Sequence, residues 1–243
     1  MKPRALDLYC GDGGATRGLQ RAGFHVTGVD RALRKRYVGD QFHQGDALEF
    51  DLRGFDFIWA SPPCQAFTSL RRLPTVRGKD HPNLIPETRD RLVRSGIPYC
   101  IENVEGAPLG ESGWLIMLCG TMFGLETGNG RAYLRRHRLF ETSFPIVLRP
   151  ACNQSAGAVL SVVGHTPEKG GMHMGRRKIR AISITGNTAQ PNTVHNAIRD
   201  VFSVKEAQQA MGIDWMPMAT LSQAVPPAYA EFIGRRALEF IRA

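Results

Sequence analysis

A chain of 243 residues is long enough to bury a sizeable core, as one large domain or as a domain with a small appendage. Its 42% hydrophobic and 22% charged residues are ordinary for a globular protein, and no apolar run approaches the roughly 20 residues of a membrane span. The net charge of +9 is unevenly spread: residues 131–200 hold eleven Lys or Arg against three acids, a pattern that fits a polyanionic partner or, equally, a solvated basic face.

The first 120 residues alternate short apolar runs with helix-compatible stretches. Ala5–Tyr9 is predicted as a strand, followed by a glycine-rich turn and a helix through about Ala22. His25–Val29 forms a second strand ending at Asp30, and a possible strand precedes Gly45-Asp46. Phe55–Ala60 reads as a strand running into Ser61-Pro62-Pro63-Cys64. Residues 86–96 have helical spacing, Pro98–Ile101 restarts a strand ending at Glu102, and Trp114–Cys119 is a further candidate. This alternation predicts an α/β fold with a mostly parallel, doubly wound sheet. From about residue 142 the chain becomes rich in Gly, Asn, Thr and Arg, with only short β-like runs at Val159–Val163 and Ala181–Thr185. Helical character returns at Val204–Met211 and Ala228–Ile241. The expected organisation is a catalytic unit of residues 1–141 and 201–243 with a small basic insert at 142–200.

The start of the chain, Met1 to Asp7, enters a strand directly and shows no apolar leader, so a cytoplasmic protein is expected. The five cysteines are odd in number and contain no CxxC pair, and His165, His173 and His195 lack metal-ligand spacing. Reduced thiols and no metal are expected.

Three constellations carry chemistry. Asp7-Leu8-Tyr9-Cys10-Gly11-Asp12-Gly13-Gly14 lies where a strand gives way to a helix. Glycines there let the backbone turn sharply and let a ligand approach, and the helix N-terminus offers free N–H groups. Asp30, at the end of the next strand, stands where such folds bind ribose hydroxyls, and Asp46 is placed to accept from an adenine amino group. The pattern is read as a site for an adenosine-containing cofactor. Second, the paired prolines before Cys64 stiffen its loop at the carboxyl edge of the sheet and hold the thiol in one place. Cys10, Cys100, Cys119 and Cys152 read instead as structural thiols. Third, Glu102-Asn103-Val104 ends another strand, where the carboxylate can face the same cleft, cap a helix or pair with an arginine.

Together these residues suit one reaction. A thiolate adds to carbon 6 of cytosine and leaves carbon 5 electron-rich, a nearby acid steadies the developing charge, and a base later removes the carbon-5 proton.

In motif content and order the sequence resembles the cytosine-C5 DNA methyltransferases over residues 4–141 and 201–240. Asp7–Gly14, continuing through Gly18 to Gly23, looks like that family's first AdoMet motif. The resemblance implies a Rossmann-like class I methyltransferase fold that uses S-adenosyl-L-methionine and releases S-adenosyl-L-homocysteine. Its cofactor contacts would come from Tyr9, Cys10, Gly11, Asp12, Gly13, Gly14, Asp30, Arg31, Asp46 and Pro63. Pro63-Cys64-Gln65 matches the nucleophile motif, so Cys64 is the implied nucleophile and Gln65 an implied DNA contact. Glu102-Asn103-Val104 matches the Glu-Asn-Val motif, and Arg136-His137-Arg138 the two-arginine motif that contacts the flipped cytosine and orders the site. Glu206–Gly212 resembles the family's penultimate motif. Gln223–Pro227 resembles the last one, with Gln223, Ala224 and Val225 closing the cofactor pocket. Three features depart from the family: Leu134 replaces a glutamine, Gln223 replaces an asparagine, and the recognition region at 142–200 is very short.

A cytosine inside a duplex must be flipped out to reach Cys64, and double-stranded DNA is the expected partner. Arg71, Arg72, Arg77 and Lys79 follow the nucleophile in what resembles the family's mobile loop, and Arg176, Arg177, Lys178 and Arg180 read as phosphate contacts in the short insert. A monomer in a bacterial or phage setting is expected, and a cognate restriction endonuclease is not legible. The competing readings are a tRNA cytosine-5 methyltransferase, a catalytically silent DNA-binding relative, and a nicotinamide-dependent oxidoreductase. The last of these leaves Pro63-Cys64-Gln65 unexplained.

Overall fold

A computed structural model of the chain describes residues 1–65, 67, 82–130, 132–152, 159–161, 181–183 and 203–243, with only the backbone given at 159–161 and 181–183. These residues fall into two compact units. The first comprises Met1–Leu118, His137–Arg149 and Ala224–Ala243, and the second Cys119–Arg136 and Pro150–Gln223. The sequence-derived boundary at 142–200 follows the loss of periodicity. The compact units follow strand pairing instead, which places 119–136 and 203–223 with the insert.

The first unit is built on a sheet of seven strands, numbered in chain order: β1 (Arg4–Leu8), β2 (His25–Asp30), β3 (Gln41–Gln44), β4 (Phe57–Ala60), β5 (Tyr99–Asn103), β6 (Trp114–Leu118) and β8 (Arg138–Thr142), with β7 in the second unit. Their order is β3-β2-β1-β4-β5-β8-β6. The pairings β1–β2, β2–β3, β1–β4 and β4–β5 are parallel, whereas β8 runs antiparallel to both β5 and β6. This is a mostly parallel, doubly wound α/β sheet, as the alternation of strands and helices in the sequence predicts. Strands buried on both faces need apolar residues at successive positions, and β4 (Phe57-Ile58-Trp59-Ala60) is wholly buried.

Both faces are covered. On one, Leu6, Leu8, Ile58, Ala60 and Ile101 pack with Leu92 of helix α2 (Ile85–Ser95). The other carries a ring-rich layer: Trp59 lies 5.7 Å from Phe140, and Phe140 lies 6.1 Å from Tyr229 in edge contact. Tyr229 belongs to helix α5 (Pro227–Arg242), which packs on helix α1 (Gly14–Ala22). The crossing is tight at Gly18, where an added Cβ would lie 2.2 Å from the Pro227 carbonyl oxygen and 2.7 Å from the Glu231 nitrogen.

The second unit contains a small parallel sheet in the order β10-β9-β7, from β7 (Tyr133–Arg135), β9 (Val159–Ser161) and β10 (Ala181–Ser183). It also holds a short 3-10 helix at Gly120–Phe123 and helices α3 (Val204–Met211) and α4 (Met218–Leu221). Ser203 and Glu206 form a reciprocal capping box at the start of α3, which satisfies two backbone donors that the helix leaves open. Leu134 is fully buried on β7 and packs over Gly120. A polar glutamine at that position would have to bury its amide, so leucine belongs to the core here.

Substituting Gly18→Ala forces a methyl group into backbone atoms of α5. We expect a loss of about 1–3 kcal/mol, the usual range for overpacking, read as a lower midpoint in thermal melts. An unchanged midpoint would mean that α5 does not lie this close to α1.

Candidate functional site

The glycine turn leaves β1 in a left-handed conformation. Tyr9 has φ 61°, Gly11 φ 52° and Gly13 φ 90°. Gly13 caps α1 in a left-handed conformation with no side-chain acceptor of its own, and the Thr16 backbone N–H in the first turn is bonded to Asp7. Space over Gly11 is clear, with nothing within 4 Å of where a Cβ would stand. At Gly14 a Cβ would meet the Val225 carbonyl oxygen at 2.4 Å and the Ala224 methyl at 3.3 Å. The absence of a side chain there is what lets the Gln223–Pro227 segment bring Ala224 and Val225 against the turn.

The two acids stand where the sequence put them, and each is already engaged. Asp30 accepts from the Gly11 amide at 3.0 Å through Oδ2 and from the Ala32 amide at 2.9 Å through Oδ1, and Arg34 lies 3.0 Å from that same Oδ1. A carboxylate has about four acceptor positions, so roughly one remains for a ribose hydroxyl. Asp46 accepts the Leu48 amide at 2.9 Å and pairs with exposed Arg31 at 2.5 Å. The Leu48 amide, then the Arg31 guanidinium, hold the Asp46 carboxyl below its usual range. An open glycine turn between two hydrogen-bonded carboxyl groups fits an adenosine-containing cofactor. Asp12 is buried beside the turn.

Cys64 sits half-buried in the loop after β4, and Phe67 donates its amide to the Cys64 carbonyl at 2.9 Å. Among the other cysteines, Cys10, Cys100 and Cys119 are buried, and Cys152 is half-buried; none is in a disulfide. Burial pushes the Cys10 and Cys100 thiols up, which suppresses their thiolates. Gln65 is exposed and Pro63 half-buried.

Glu102 lies on β5, beside β4. The last registered pair between these strands is Ala60 with Ile101, so Ser61 and Glu102 come next on each. One step further, the Asn103 side-chain amide donates to the Pro62 carbonyl at 2.9 Å in a buried bond. The loop that carries Cys64 is therefore fastened to the strand that carries Glu102. Glu102 is only 6% exposed. It pairs with Arg138 of β8, with Arg138 Nε 3.0 Å from Glu102 Oε1. The antiparallel register sets Phe140 opposite Glu102, which makes Arg138 its diagonal neighbour on the same face. His137, next to Arg138, has Nδ1 3.3 Å from the Glu105 carboxylate.

Arg136 belongs to the second unit. It is 1% exposed and donates to the Ser222 carbonyl at 2.9 Å, next to exposed Gln223. The two arginines of one motif thus do different work, Arg138 bracing the acid and Arg136 bracing the backbone that leads to the last motif. Arg71, Arg72, Arg77, Lys79, Arg176, Arg177, Lys178 and Arg180 lie outside the described residues.

Three features escaped sequence reading. The Asn103–Pro62 bond was one, because an amide's partner 41 residues away leaves no local pattern. Tyr37 was another: its ring fills the space over Gly28 and Gly39, and its hydroxyl meets Thr16 Oγ1 at 3.2 Å. The third is Asp7. Thr16 donates to its Oδ2 at 2.5 Å, while Oδ1 is buried with no partner among the described residues. Burial, opposed by the Thr16 bonds and reinforced by the charges of Asp30 and Glu102, raises the Asp7 carboxyl to about 7.

No family model matches the chain. A curated protein of Frog virus 3 (isolate Goorha), named "Probable DNA (cytosine-5)-methyltransferase", is 37% identical over 82 residues, covering 31% of this chain and 35% of the viral protein. The chain thus matches about a third of that relative's length. Among solved structures, the Schizosaccharomyces pombe Dnmt2 methyltransferase superposes with a TM-score of 0.58 at 13% identity, covering 100% of both chains. A prophage-encoded Escherichia coli protein assigned as a DNA modification methyltransferase gives 0.57 at 14% identity, covering 99% of both. At such identities the likeness is one of fold. Among the described residues no helix is long and apolar enough to cross a membrane.

The raised Asp7 carboxyl sets a pH dependence. A group that binds its proton more tightly when folded stabilises the fold below its unfolded value of 3.8, and that contribution is lost as pH rises through about 7. The variant Asp7→Asn keeps an acceptor for Thr16 and carries no charge. It should therefore melt higher than the parent at pH 8, with the difference shrinking towards pH 5. Melting curves at pH 5, 6.5 and 8 check this, and a difference constant across pH would show that Asp7 does not titrate in this window.

Proposed function

We propose that the chain is a cytosine-C5 methyltransferase that transfers a methyl group from AdoMet to carbon 5 of cytosine in double-stranded DNA, a reading supported by its motif order and by the likeness of about a third of its length to the viral protein. The observation that carries the reading is the fastening of the Cys64 loop to a buried acid: Asn103 holds the Pro62 carbonyl, and Arg138 holds Glu102.

Bound AdoMet supplies an electrophilic methyl group. The turn at Gly11–Gly14 with the α1 N-terminus would hold its methionine portion, Asp30 the ribose, and Asp46 with the Arg31 side the adenine. Pro63 and the backbone of Ala224 and Val225 would border the pocket.

On the substrate side, the Cys64 thiolate bonds to carbon 6 of a flipped-out cytosine, which raises electron density at carbon 5. Glu102, oriented by Arg138, meets ring N3 and the exocyclic amine and stabilises the charge that develops there. After methylation a base takes the carbon-5 proton, and the electrons of that bond restore the ring double bond as the thiolate leaves. Gln65 and the basic side chains at 71–79 and 176–180 would hold the flanking phosphates, with residues 142–200 as the recognition region. A bacterial or phage protein acting as a monomer in the cytoplasm completes the reading.

Bisulfite sequencing of DNA from cells that express the chain should reveal methylated cytosines in a fixed sequence context. A duplex containing 5-fluorocytosine should become covalently attached in the presence of AdoMet, since fluorine blocks the proton removal that frees the enzyme. Transfer to tRNA but not to duplex DNA would replace DNA by RNA as the substrate, and absence of any adduct would leave a binding protein.

Cys64→Ser should abolish turnover while DNA affinity stays close to that of the parent; equal loss of both would remove Cys64 from the nucleophile role. Glu102→Gln should slow transfer on the order of 100-fold, as loss of a preorganised electrostatic contact does. Single-turnover rates measure this, and a near-normal rate would dismiss Glu102.

A further inference from the structure

Helix α2 lies on the face of the sheet opposite α1 and α5, and neither the glycine turn nor the nucleophile motif includes it. Three consecutive polar contacts nevertheless run from it to the candidate site. Thr88 Oγ1 is 2.9 Å from the Tyr9 hydroxyl, at the glycine turn. Arg91 donates to the Ala47 carbonyl and to the Phe50 carbonyl, both at 2.7 Å. These carbonyls flank the turn that begins at Asp46, whose own carbonyl accepts the Glu49 and Phe50 amides at 3.1 Å. Arg89 binds Glu141 of β8 through two parallel bonds of 2.9 Å, and also reaches Glu111 at 3.0 Å and the Pro108 carbonyl at 2.6 Å. The Gly110 amide completes that cluster by donating to Glu141 at 2.5 Å.

The residues held in this way divide cleanly. Among the described residues the hydrogen bonds of Arg91 outside its helix go to the segment that presents Asp46. Those of Arg89 go to β8, the strand of Arg138, and to the loop that follows Glu102-Asn103-Val104. We propose that α2 is the positioning element of the site, with Arg91 setting the adenine-side acid and the Arg89–Glu141 pair setting the acid that faces the substrate base. The inference rests on the cofactor reading above.

The physical ground is the stiffness each guanidinium imposes. A planar fork that spans two carbonyls fixes their separation, so the Ala47–Phe50 turn cannot open without breaking two charge-assisted bonds. Arg89 is 5% exposed and Glu141 fully buried, so the carboxylate has no water to turn to and keeps β8 and the 108–111 loop in one arrangement. Removing Arg89 itself would strand a buried carboxylate and risk the fold. The informative changes are therefore Arg91→Gln, whose acceptors are neutral carbonyls, and Glu111→Gln, whose carboxylate is 67% exposed.

The test uses the whole chain and AdoHcy as the probe. Arg91→Gln should weaken AdoHcy binding in calorimetry by about tenfold, the worth of one charge-assisted hydrogen bond. The KM for AdoMet should rise more than kcat falls. In the ligand-free protein the Glu49 and Phe50 amides should exchange hydrogen faster, and Arg91→Lys should recover part of the protection. Glu111→Gln should leave AdoHcy affinity as it is and slow adduct formation with 5-fluorocytosine DNA. Unchanged affinity and unchanged exchange in Arg91→Gln would overturn the proposal, as would equal effects of both variants on cofactor binding. If the parent chain bound no AdoHcy, the cofactor reading would fall, while the exchange at Glu49 and Phe50 would still decide whether Arg91 holds the turn.

Discussion

One buried hydrogen bond sets the geometry on which the site depends: the Asn103 amide donating to the Pro62 carbonyl. Proline at 62 and 63 takes N–H donors out of the loop, which leaves its carbonyls as the groups through which it can be held. The bond works because β4 and β5 run parallel, so that Pro62 and Asn103 stand side by side two residues after Ala60 and Ile101 pair. A loop stiffened by proline and fastened at one carbonyl gives the Cys64 sulfur a fixed point of departure. The antiparallel entry of β8 next to β5 then delivers Arg138 to Glu102 from the side. Cys64 and Glu102 thus take their placement from three neighbouring strands.

The glycine turn follows a different rule, close approach of backbones. Gly14 and Gly18 occupy places where a methyl group would strike carbonyls of the chain's C-terminal segment, at 2.4 and 2.2 Å. Glycine's value there is absence of bulk. Turn, helix α1 and the start of α5 become one packed block, with clear space over Gly11. Asp30 and Asp46 beside it each accept from backbone amides and lie against an arginine.

Buried charge appears in two forms in this unit. The Arg89–Glu141 pair is satisfied from several directions, so its desolvation is offset by good geometry. Asp7 has one oxygen bonded to Thr16 and the other without a partner among the described residues, and it responds by holding its proton to about pH 7. The contrast follows from supply: β8 and the loop after β5 surround Glu141 with donors, whereas Asp7 has only the Thr16 contacts in its favour and the charges of Asp30 and Glu102 against it.

By itself the sequence determined the alternating strand–helix pattern, the cofactor turn, and the residue types at Cys64 and Glu102. These signals are local: periodicity, glycine where φ is positive, and a proline pair before a cysteine all act within a few residues. It also left Glu102 with three readings, an active-site acid, a helix cap or an arginine's partner, and the tertiary structure shows the pairing with Arg138. Only that structure decided the antiparallel place of β8, the separate tasks of Arg136 and Arg138, the assignment of 119–136 and 203–223 to the smaller unit, and the reach of α2 from Tyr9 to Glu141. The side-chain contacts among these join partners between 36 and 86 positions apart, and a contact at that range has no signature in the order of neighbouring residues.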